Sequence, residues 1–441
     1  MVHLEEHKDL TENKPIEDLS LPEAVYIPLS QHLGKVCQPS VKPKDRVLRG
    51  QKIGSLDSGV YAPVHASISG EVVAIKNMPH PVLGSCLAVQ IKSDGKDEPD
   101  KSLGTNSRSE QEIAALSPDQ LRKLIFEAGI VGMGGAAFPT HIKLKPPKPV
   151  DTFILNGAEC EPYLTSDFRL MVEHTREIML GLNLMVRILG AKNVYIAIED
   201  NKPKAIEAFR YKIPASPAGR QDTCLASRQA SYKIQILKSV YPQGGERQLT
   251  KSVLNKEVPS GGLPFDIAVV VQNVSTAYAV YEAVYFNKPL YERVVTVTGP
   301  LLKNPRNLRA RIGTPVSELI GACEPGQDIA KVVIGGPMMG IAQYTLNVPV
   351  IKSTGGIVLF SKDEVFARED RVCCRCGRCI DVCPVRIMPA MIAMAAERER
   401  FDIARNYDPL DCIECGLCSY VCPAKRDLVH LIKYAKARNK I

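Results

Sequence analysis

Hydrophobic and polar positions follow two patterns in the first two thirds of the chain. Between residues 25 and 92, short apolar runs such as 52–56 and 70–75 are broken by glycine and proline, which is typical of a small all-β unit. Farther along, strand-like runs (152–155, 194–198 and 267–271) alternate with helix-like ones (167–189 and 202–211). This alternation predicts an α/β domain.

The rest of the chain divides at changes in composition. Residues 93–110 are polar and favour a linker. Residues 293–350 hold two apolar runs around a helix-like segment and predict a small mixed unit. We therefore predict a multidomain α/β and α+β protein with a β-rich module at 1–95, a linker at 96–114, an α/β domain at 115–292, a mixed module at 293–355 and a cysteine-rich domain at 362–441.

Composition narrows the class of protein. The chain has 441 residues, 45% apolar and 24% charged, which is ordinary for a globular protein. No apolar run is long enough to span a bilayer and the N-terminus has no apolar signal-peptide core, so we expect a chain on the cytoplasmic side. The net charge is +8. The basic excess near the C-terminus favours either compensation of anionic clusters or docking to an acidic partner, and no aromatic-interleaved basic motif supports nucleic-acid binding.

Nine of the fourteen cysteines lie between Cys373 and Cys422, which in a long chain favours metal binding over a disulfide scaffold. They form two runs of the bacterial two-cluster ferredoxin pattern, C-x2-C-x2-C-x3-C-P, which start at Cys373 and Cys412. In this pattern the fourth cysteine of each run ligates the other [4Fe–4S] cluster. Cluster one is then Cys373, Cys376, Cys379 and Cys422, and cluster two is Cys412, Cys415, Cys418 and Cys383. Zinc is the alternative, and Cys374 is interpreted as a non-ligand.

A glycine-rich turn at 132–135 is a weak anion-binding signal when it is taken alone. The segment Gly132-Met133-Gly134-Gly135-Ala136-Ala137-Phe138-Pro139-Thr140-His141-Ile142-Lys143, however, resembles the FMN/NADH motif of the flavoprotein subunit of respiratory NADH dehydrogenase. Three more blocks of that family follow in order, at 156–162, 241–246 and 272–276.

The resemblance implies roles for individual residues. The residues near the flavin phosphate and ring would be Gly132, Gly134, Gly135 and Lys143. The isoalloxazine or ribityl side would be bound by Asn156, Asn273 and Thr276. Phe138 would stack on NADH, and the nicotinamide cofactor would be faced by Glu159, Glu161 and Glu246. This sequence departs from the family at Met133, where arginine is usual, and at Gly245, where an acid is usual.

The two remaining modules also resemble known folds. Residues 60–72 resemble half of a lipoyl/biotinyl-like barrel-sandwich fold, but the turn at 57–59 lacks a carrier lysine, so we predict a structural or docking module. Residues 293–355 resemble a ubiquitin-like β-grasp (SLBB-like) module. In this order, the four parts resemble the RnfC family, whose members belong to the Rnf electron-transport complex.

The Rnf resemblance implies a peripheral subunit of an ion-translocating ferredoxin:NAD oxidoreductase that uses NAD(H), FMN and two [4Fe–4S] clusters beside membrane-embedded and iron–sulfur partner subunits. A flavin belongs between nicotinamide, which exchanges two electrons, and clusters, which exchange one. Two alternatives are a soluble NADH-dependent reductase, such as a cobalamin reductase or an amino-acid-reductase electron donor, and an electron-transfer adaptor without nicotinamide binding. Cobalamin reductases resemble the chain less, because their flavin domain comes first.

Overall fold

The first part of the chain in this computed structural model consists of short strands in two small antiparallel sheets. The structure describes residues 2–101, 103, 107–212, 230–365 and 372–439. The strands of these sheets are β2 (Ala24–Pro28), β3 (Gln38–Pro39), β4 (Arg46–Val47), β5 (Lys52–Ser55), β6 (Val64–His65), β7 (Gly70–His80) and β8 (Gly84–Ser93), whereas β1 (Ile16–Asp18) belongs to a sheet described below. The sheets have the orders β2-β8-β7-β4 and β3-β5-β6, and they share one apolar core. The predicted β-rich module is confirmed.

The second part is a four-stranded parallel sheet covered by helices. Its elements are α1 (Glu110–Ala115), α2 (Pro118–Glu127), α3 (Thr140–Lys143), β9 (Thr152–Gly157), α4 (Ser166–Glu173), α5 (Thr175–Leu189), β10 (Asn193–Glu199), α6 (Pro203–Lys212), β11 (Ser231–Leu237), α7 (Glu246–Leu254), β12 (Val269–Asn273) and α8 (Val274–Phe286). The strand order is β11-β10-β9-β12. All residues of β9 and β12 are buried, as expected for strands covered on both faces.

Two details of this domain differ from the sequence-based expectation. The helix predicted at 167–189 is interrupted at His174, whose φ of −127° is not helical. Part of the predicted linker is helical, because Ser109 and Glu112 form a capping box at the start of α1 and Ile113 is buried in the core of the domain.

The third part is a six-stranded sheet with one helix packed on it. Its elements are β13 (Glu292–Thr298), β14 (Arg306–Arg311), α9 (Val316–Ala322), β15 (Ile329–Ile334), β16 (Ile341–Ala342) and β17 (Gly356–Ser361). The strand order is β1-β14-β13-β17-β15-β16. The edge strand β1 comes from the N-terminal segment and pairs in parallel with β14, so this segment ties the first and third parts together.

The C-terminal part is a small helical domain built as a repeat around the two cysteine runs. Its helices are α10 (Arg378–Asp381), α11 (Pro389–Glu397), α12 (Phe401–Arg405), α13 (Leu417–Tyr420) and α14 (Leu428–Asn439). Gly377 and Gly416 precede α10 and α13 with φ of 80° and 78°, a conformation that favours glycine. The residues between the two cysteine runs form two of these helices, α11 and α12. No helix in the described ranges is both long and apolar enough to cross a membrane.

Candidate functional site

The parallel sheet has a switch point between β9 and β12. Strands β10 and β11 are added on one side of β9, whereas β12 lies on the other. In open α/β sheets, ligands bind in the crevice at the carboxyl ends of the strands at such a point. Asn156 lies near the end of β9 beside Asn273, the last residue of β12, and the two are register partners. Two predicted flavin-binding amides therefore lie side by side at this crevice.

The glycine-rich turn lies against the same two strands. The Met133 amide donates a hydrogen bond of 2.9 Å to Thr276 Oγ1. A Cβ on Gly134 would lie 2.8 Å from Asn273 Nδ2, whereas a Cβ on Gly135 would have no atom of the described chain within 4 Å apart from those of its two chain neighbours. The turn thus packs its backbone directly onto Asn273 and leaves the backbone at Gly135 open to an approaching ligand.

Phe138 lies at the end of this turn. The Gly132 amide donates a hydrogen bond of 2.9 Å to the Phe138 carbonyl, and Phe138 is half-buried. The Leu33 amide of the first module donates to the Ala137 carbonyl at 3.2 Å. The β-rich module therefore holds the glycine-rich turn from outside.

Lys143 and Glu246 form an ion pair in this structure. Lys143 ends α3, and Glu246 is the first residue of α7. The Glu246 side chain is 43% exposed and that of Lys143 is 23% exposed. The predicted phosphate-side lysine and the predicted nicotinamide-side acid thus lie next to each other.

The two asparagine side chains are held by protein groups. Asn156 Nδ2 donates to the Gly244 carbonyl at 2.9 Å, and its Oδ1 accepts from the Ala158 amide at 3.0 Å. Asn273 Nδ2 donates to Asp167 Oδ2 at 2.6 Å. An open glycine backbone, a lysine, and fixed amides beside the N-terminus of α8 form a donor set that fits a flavin phosphate and ring.

Glu159 does not present a free carboxylate to the crevice. Its Oε1 accepts from Ser166 Oγ at 3.3 Å and from the Asp167 amide at 2.9 Å, and its Oε2 accepts from the Phe168 amide at 3.2 Å. Burial raises the pKa of this carboxyl group. Glu159 caps the N-terminus of α4, so a cofactor-facing role is not what this structure shows for it.

Glu161 points toward the third part of the chain. Its carboxylate accepts from the Met338 and Met339 amides at 3.1 and 2.8 Å, and burial raises its pKa to about 7. A cofactor-facing position is thus not seen for Glu161 either. Glu246 is the most exposed of the three predicted acids and is the one that remains available for a nicotinamide contact.

Lys8 is a buried residue of this region that sequence reasoning missed. Its Nζ donates to the carbonyl oxygens of Glu159, Glu161 and Leu164 at 2.7, 3.0 and 2.7 Å. Burial lowers the pKa of Lys8. The loop after β9 is therefore held by the N-terminal segment, and no local pattern around Lys8 signals this contact.

The four cysteines predicted for cluster two surround one cavity. Cys383, Cys412, Cys415 and Cys418 line this cavity, and its other walls are mostly apolar side chains, Ile413 among them. Cys383 belongs to the first run and the other three to the second, which is the exchange that the ferredoxin pattern predicts. The cavity chemistry fits a [4Fe–4S] cluster, whose cysteine ligands supply four thiolates.

The cysteines predicted for cluster one lie in a more open part of the same domain. Cys376 is exposed, and Cys373, Cys379 and Cys422 are half-buried. Arg426 lies against Cys373 and forms an ion pair with Glu397; burial lowers the arginine pKa, but Glu397, with a smaller contribution from Cys373, raises it above its usual value. Cys374, the predicted non-ligand, is exposed.

The loop of residues 411–418, which carries Cys412, Cys415 and Cys418 and is called the cluster-two loop, contacts the α/β domain directly. Tyr241 Oη donates a hydrogen bond of 2.8 Å to the Cys415 carbonyl. Arg247 Nη1 and the Gly261 amide each donate to Asp411 Oδ1 at 3.2 Å. Asp411 immediately precedes the predicted ligand Cys412, Tyr241 is the first residue of the 241–246 block, and Arg247 is the residue that follows this block. The loop is thus anchored beside the candidate flavin crevice.

Family models match four consecutive parts of the chain. They are described as the RnfC barrel sandwich hybrid domain (residues 2–96), the Nuo51 FMN-binding domain (125–282), the SLBB domain (294–342) and the 4Fe-4S dicluster domain (366–427). These matches support FMN and iron–sulfur clusters as the cofactors.

Solved structures and curated relatives give the same picture at two levels. Crystal structures of NAD+-reducing [NiFe]-hydrogenase in the H2-reduced and air-oxidised states share the fold with TM-scores of 0.51, at 19% and 17% identity; they cover 73% and 74% of this chain, which in turn covers 63% and 66% of theirs. The subunit designated C in the proton-translocating ferredoxin:NAD(+) oxidoreductase complex of Clostridium ljungdahlii is 43% identical over 100% of this chain and 93% of its own. Its counterpart in the Na(+)-translocating ferredoxin:NAD(+) oxidoreductase complex of Acetobacterium woodii is 41% identical over 99% and 95%. The chain therefore belongs to the RnfC family of ion-translocating ferredoxin:NAD+ oxidoreductase (Rnf) complexes.

Proposed function

We propose that this chain exchanges electrons between NAD(H), FMN and two [4Fe–4S] clusters as a peripheral subunit on the cytoplasmic side of the membrane. Its partners are membrane-embedded and iron–sulfur subunits of the same ion-translocating oxidoreductase. Membership of the RnfC family supports this function. The two relatives differ in the ion that their names state, so the ion is not carried over to this chain.

The residues at the switch point divide into three groups. Bound FMN exchanges electron pairs with nicotinamide and single electrons with iron–sulfur clusters. The phosphate and the adjacent ring edge are held by Gly132, Gly134, Gly135 and Lys143. The isoalloxazine and ribityl groups are held by Asn156, Asn273 and Thr276. The nicotinamide cofactor is contacted by Phe138 and Glu246. Lys143 balances the phosphate charge, and Phe138 offers a stacking face.

The hydrogen-bonded contact between Tyr241 and the cluster-two loop is the observation that best supports this proposal. Tyr241 opens the block that ends at Glu246, and its hydroxyl reaches the carbonyl of the predicted ligand Cys415. Asp411 is anchored to the same domain through Arg247. A cluster held by Cys412, Cys415, Cys418 and Cys383 is therefore the flavin-side cluster, and one held by Cys373, Cys376, Cys379 and Cys422 is the outer cluster.

An anaerobic NADH titration of the full chain, reconstituted with FMN, iron and sulfide, tests this function. We expect the flavin absorbance to bleach and cluster signals to appear in electron paramagnetic resonance spectra. Flavin that stays oxidised while dithionite still reduces the clusters would identify an adaptor without nicotinamide binding. Copurification with a corrinoid enzyme instead of membrane subunits would identify a soluble reductase.

Glu246→Gln sharpens the titration. This change removes the negative charge next to Lys143, so we expect slower flavin reduction by NADH with normal FMN content and normal cluster reduction by dithionite. Glu257→Gln is the matched control, because Glu257 is exposed and pairs with Lys251 on the same domain. Equal NADH kinetics in the two variants would remove Glu246 from the nicotinamide site.

A further inference from the structure

The two cysteine runs are related by a shift of 39 residues (412 − 373), but they differ in exposure. In the second run, the segment Cys415-Gly416-Leu417-Cys418 is buried throughout. In the first run, Cys376 and Arg378 of the equivalent segment are exposed, and Gly377 and Cys379 are only half-buried. The two runs therefore repeat in sequence but differ in how far their residues are exposed to solvent.

Close packing against another part of the chain explains the buried half. A Cβ on Gly416 would lie 2.5 Å from the Met338 carbonyl oxygen, whereas a Cβ on its equivalent Gly377 would have no atom within 4 Å in the part of the chain that the structure describes, its two chain neighbours apart. Leu417 belongs to an apolar cluster with Tyr241 and Cys415. The equivalent of Leu417 is the charged residue Arg378, which could not replace it in that cluster without burying its charge.

The charges of the two halves also differ in sign. Residues 372–388 contain three arginines (Arg375, Arg378 and Arg386) and one acid, Asp381. The equivalent residues 411–427 contain two basic and three acidic residues. Glu414, the equivalent of Arg375, forms ion pairs with Lys433 and Lys436. The exposed half is thus basic, and the buried half is slightly acidic.

Apolar side chains lie among the exposed arginines. Val372 is 89% exposed, Met388 is 39% exposed and Ile380 is 37% exposed. We call residues 372–388 the cluster-one face. Exposed apolar residues together with arginine are typical of the composition of a specific protein–protein interface.

We propose that the cluster-one face docks an acidic partner subunit of the same complex that carries its own one-electron redox centre. The proposal rests on the proposed function, since it needs cluster one as the outer cluster. In the transfer, cluster one loses one electron and the partner centre gains it, with no proton or group moving between the proteins. The exposed arginines select an acidic surface, and the exposed apolar residues favour a lasting contact between subunits over a brief encounter with a diffusing carrier.

Charge reversal at the exposed arginines of the cluster-one face tests the proposal. The probe is the membrane complex isolated in detergent from a strain that lacks this subunit, to which the reconstituted full chain is added. We expect the double variant Arg375→Glu/Arg378→Glu to associate about tenfold more slowly or worse at low ionic strength, and the difference to shrink at high salt. Lys76→Glu/Lys92→Glu is the control with the same charge change at exposed sites of the β-rich module, and it should associate normally.

A second variant covers damage to the cluster itself. Arg386 is exposed and follows the last predicted ligand of its run by three residues, so Arg386→Glu tests the same face farther from the ligands. Each protein is compared only at equal iron content, and its clusters are first reduced by NADH in isolation. Failure of that reduction in the wild-type chain would reject the proposed function, independently of docking.

Two results would overturn the docking proposal. One is association of both charge-reversal variants at the wild-type rate at low salt. The other is normal rebinding to the membrane complex combined with slower electron transfer to a soluble ferredoxin, which would assign the face to a diffusing carrier. Salt-sensitive loss of rebinding in both variants, with the control unaffected, supports a fixed acidic partner subunit.

Discussion

Gly135 and Gly321 are both open on the side where a Cβ would stand: among the described residues, no atom apart from those of their chain neighbours and the helix's own backbone lies within 4 Å. At Gly135 the proposed occupant of that space is the flavin, whose phosphate needs close approach of the backbone. Gly135→Ala should therefore weaken FMN about tenfold or more, equivalent to roughly 1.4 kcal/mol, without lowering the melting temperature of the apoprotein. Fluorescence titration with FMN measures the affinity. Gly321→Ala is the control, and equal affinities in the two variants would contradict the placement of the phosphate.

Tyr241 offers a second test at the scale of one atom. Tyr241→Phe removes the hydroxyl that donates to the Cys415 carbonyl and keeps the ring in its apolar cluster. Loss of one hydrogen bond costs about 1 kcal/mol, so the fold should persist. We expect the reduction potential or the resonance spectrum of cluster two to change while those of cluster one stay constant. Tyr420→Phe, at an exposed tyrosine of the cysteine-rich domain, is the control. A change confined to cluster one would contradict the assignment of cluster two as the flavin-side cluster.

Single residues also mark where sequence reasoning ends. The family motif identifies Glu159 and Glu161, but their observed roles depend on partners outside the motif block, such as Ser166 for the first and Met338 for the second. Lys8 is equally hidden, because lysine is ordinarily a surface residue and its carbonyl partners lie more than 150 residues away. Local patterns carry no information about such contacts.

At the scale of elements, the two cysteine runs make the most specific prediction. If each run supplies three ligands to its own cluster and one to the other, Cys373→Ala and Cys422→Ala damage the same cluster although they lie in different runs. Iron should fall from about eight toward about four atoms per chain in either variant. Iron analysis and resonance spectra of both variants measure this, and loss of different clusters would contradict the exchange of ligands.

Cys374→Ser is the matched control for these variants. Cys374 lies beside Cys373 in sequence, is exposed and is extra to the pattern. We expect both clusters to keep their full iron content in this variant. Loss of one cluster would show that Cys374 replaces a predicted ligand.

Strands and helices were predictable where a local pattern sets them. The apolar runs of β9, β10 and β12 predicted strands, and their boundaries agree with the structure to within about two residues. The break between α4 and α5 was not predictable, because apolar spacing continues across His174. Pairing of β1 with β14 was not predictable either, since the partners are 291 residues apart (307 − 16) and short strands carry little register information.

At the scale of the whole molecule, the unlike environments of the two cysteine runs were visible in the sequence but not interpretable. Leu417 stands where the first run has Arg378, and Glu414 stands where it has Arg375. Those differences acquire a meaning only when the structure shows which half packs against Tyr241 and Met338. Domain order was predictable from motifs, whereas the surfaces that join the domains depend on three-dimensional packing.

Lys352 joins three parts of the chain at one buried point. Its Nζ donates to the Pro63 carbonyl of the first module and to the Gly129 carbonyl of the α/β domain, each at 2.7 Å, and its amide donates to Gln31 Oε1 at 3.2 Å. Arg293 Nη1 donates to the Lys352 carbonyl at 2.6 Å. Burial lowers the pKa of Lys352 to about 7. The junction therefore contains an ammonium group that loses its charge near neutral pH.

Lys352→Met makes this junction measurable through its pH dependence. In the wild-type chain the cost of burying the charge is full below pH 7 and disappears as pH rises from 7 toward the unfolded-state pKa near 10.5, while the neutral amine still donates its hydrogen bonds. The variant has no such charge and leaves two buried carbonyl groups without their donor, at about 1–3 kcal/mol each. The melting temperature of the wild-type chain should therefore rise relative to that of Lys352→Met between pH 7 and 10, with a total change of at most about 5 kcal/mol in stability.

Calorimetry at pH 6, 7, 8, 9 and 10 measures the difference, with Lys76→Met as an exposed control. A difference that stays constant across this range would mean that the folded chain binds the Lys352 proton as tightly as the unfolded chain does, and that result would contradict a lysine that titrates at the junction.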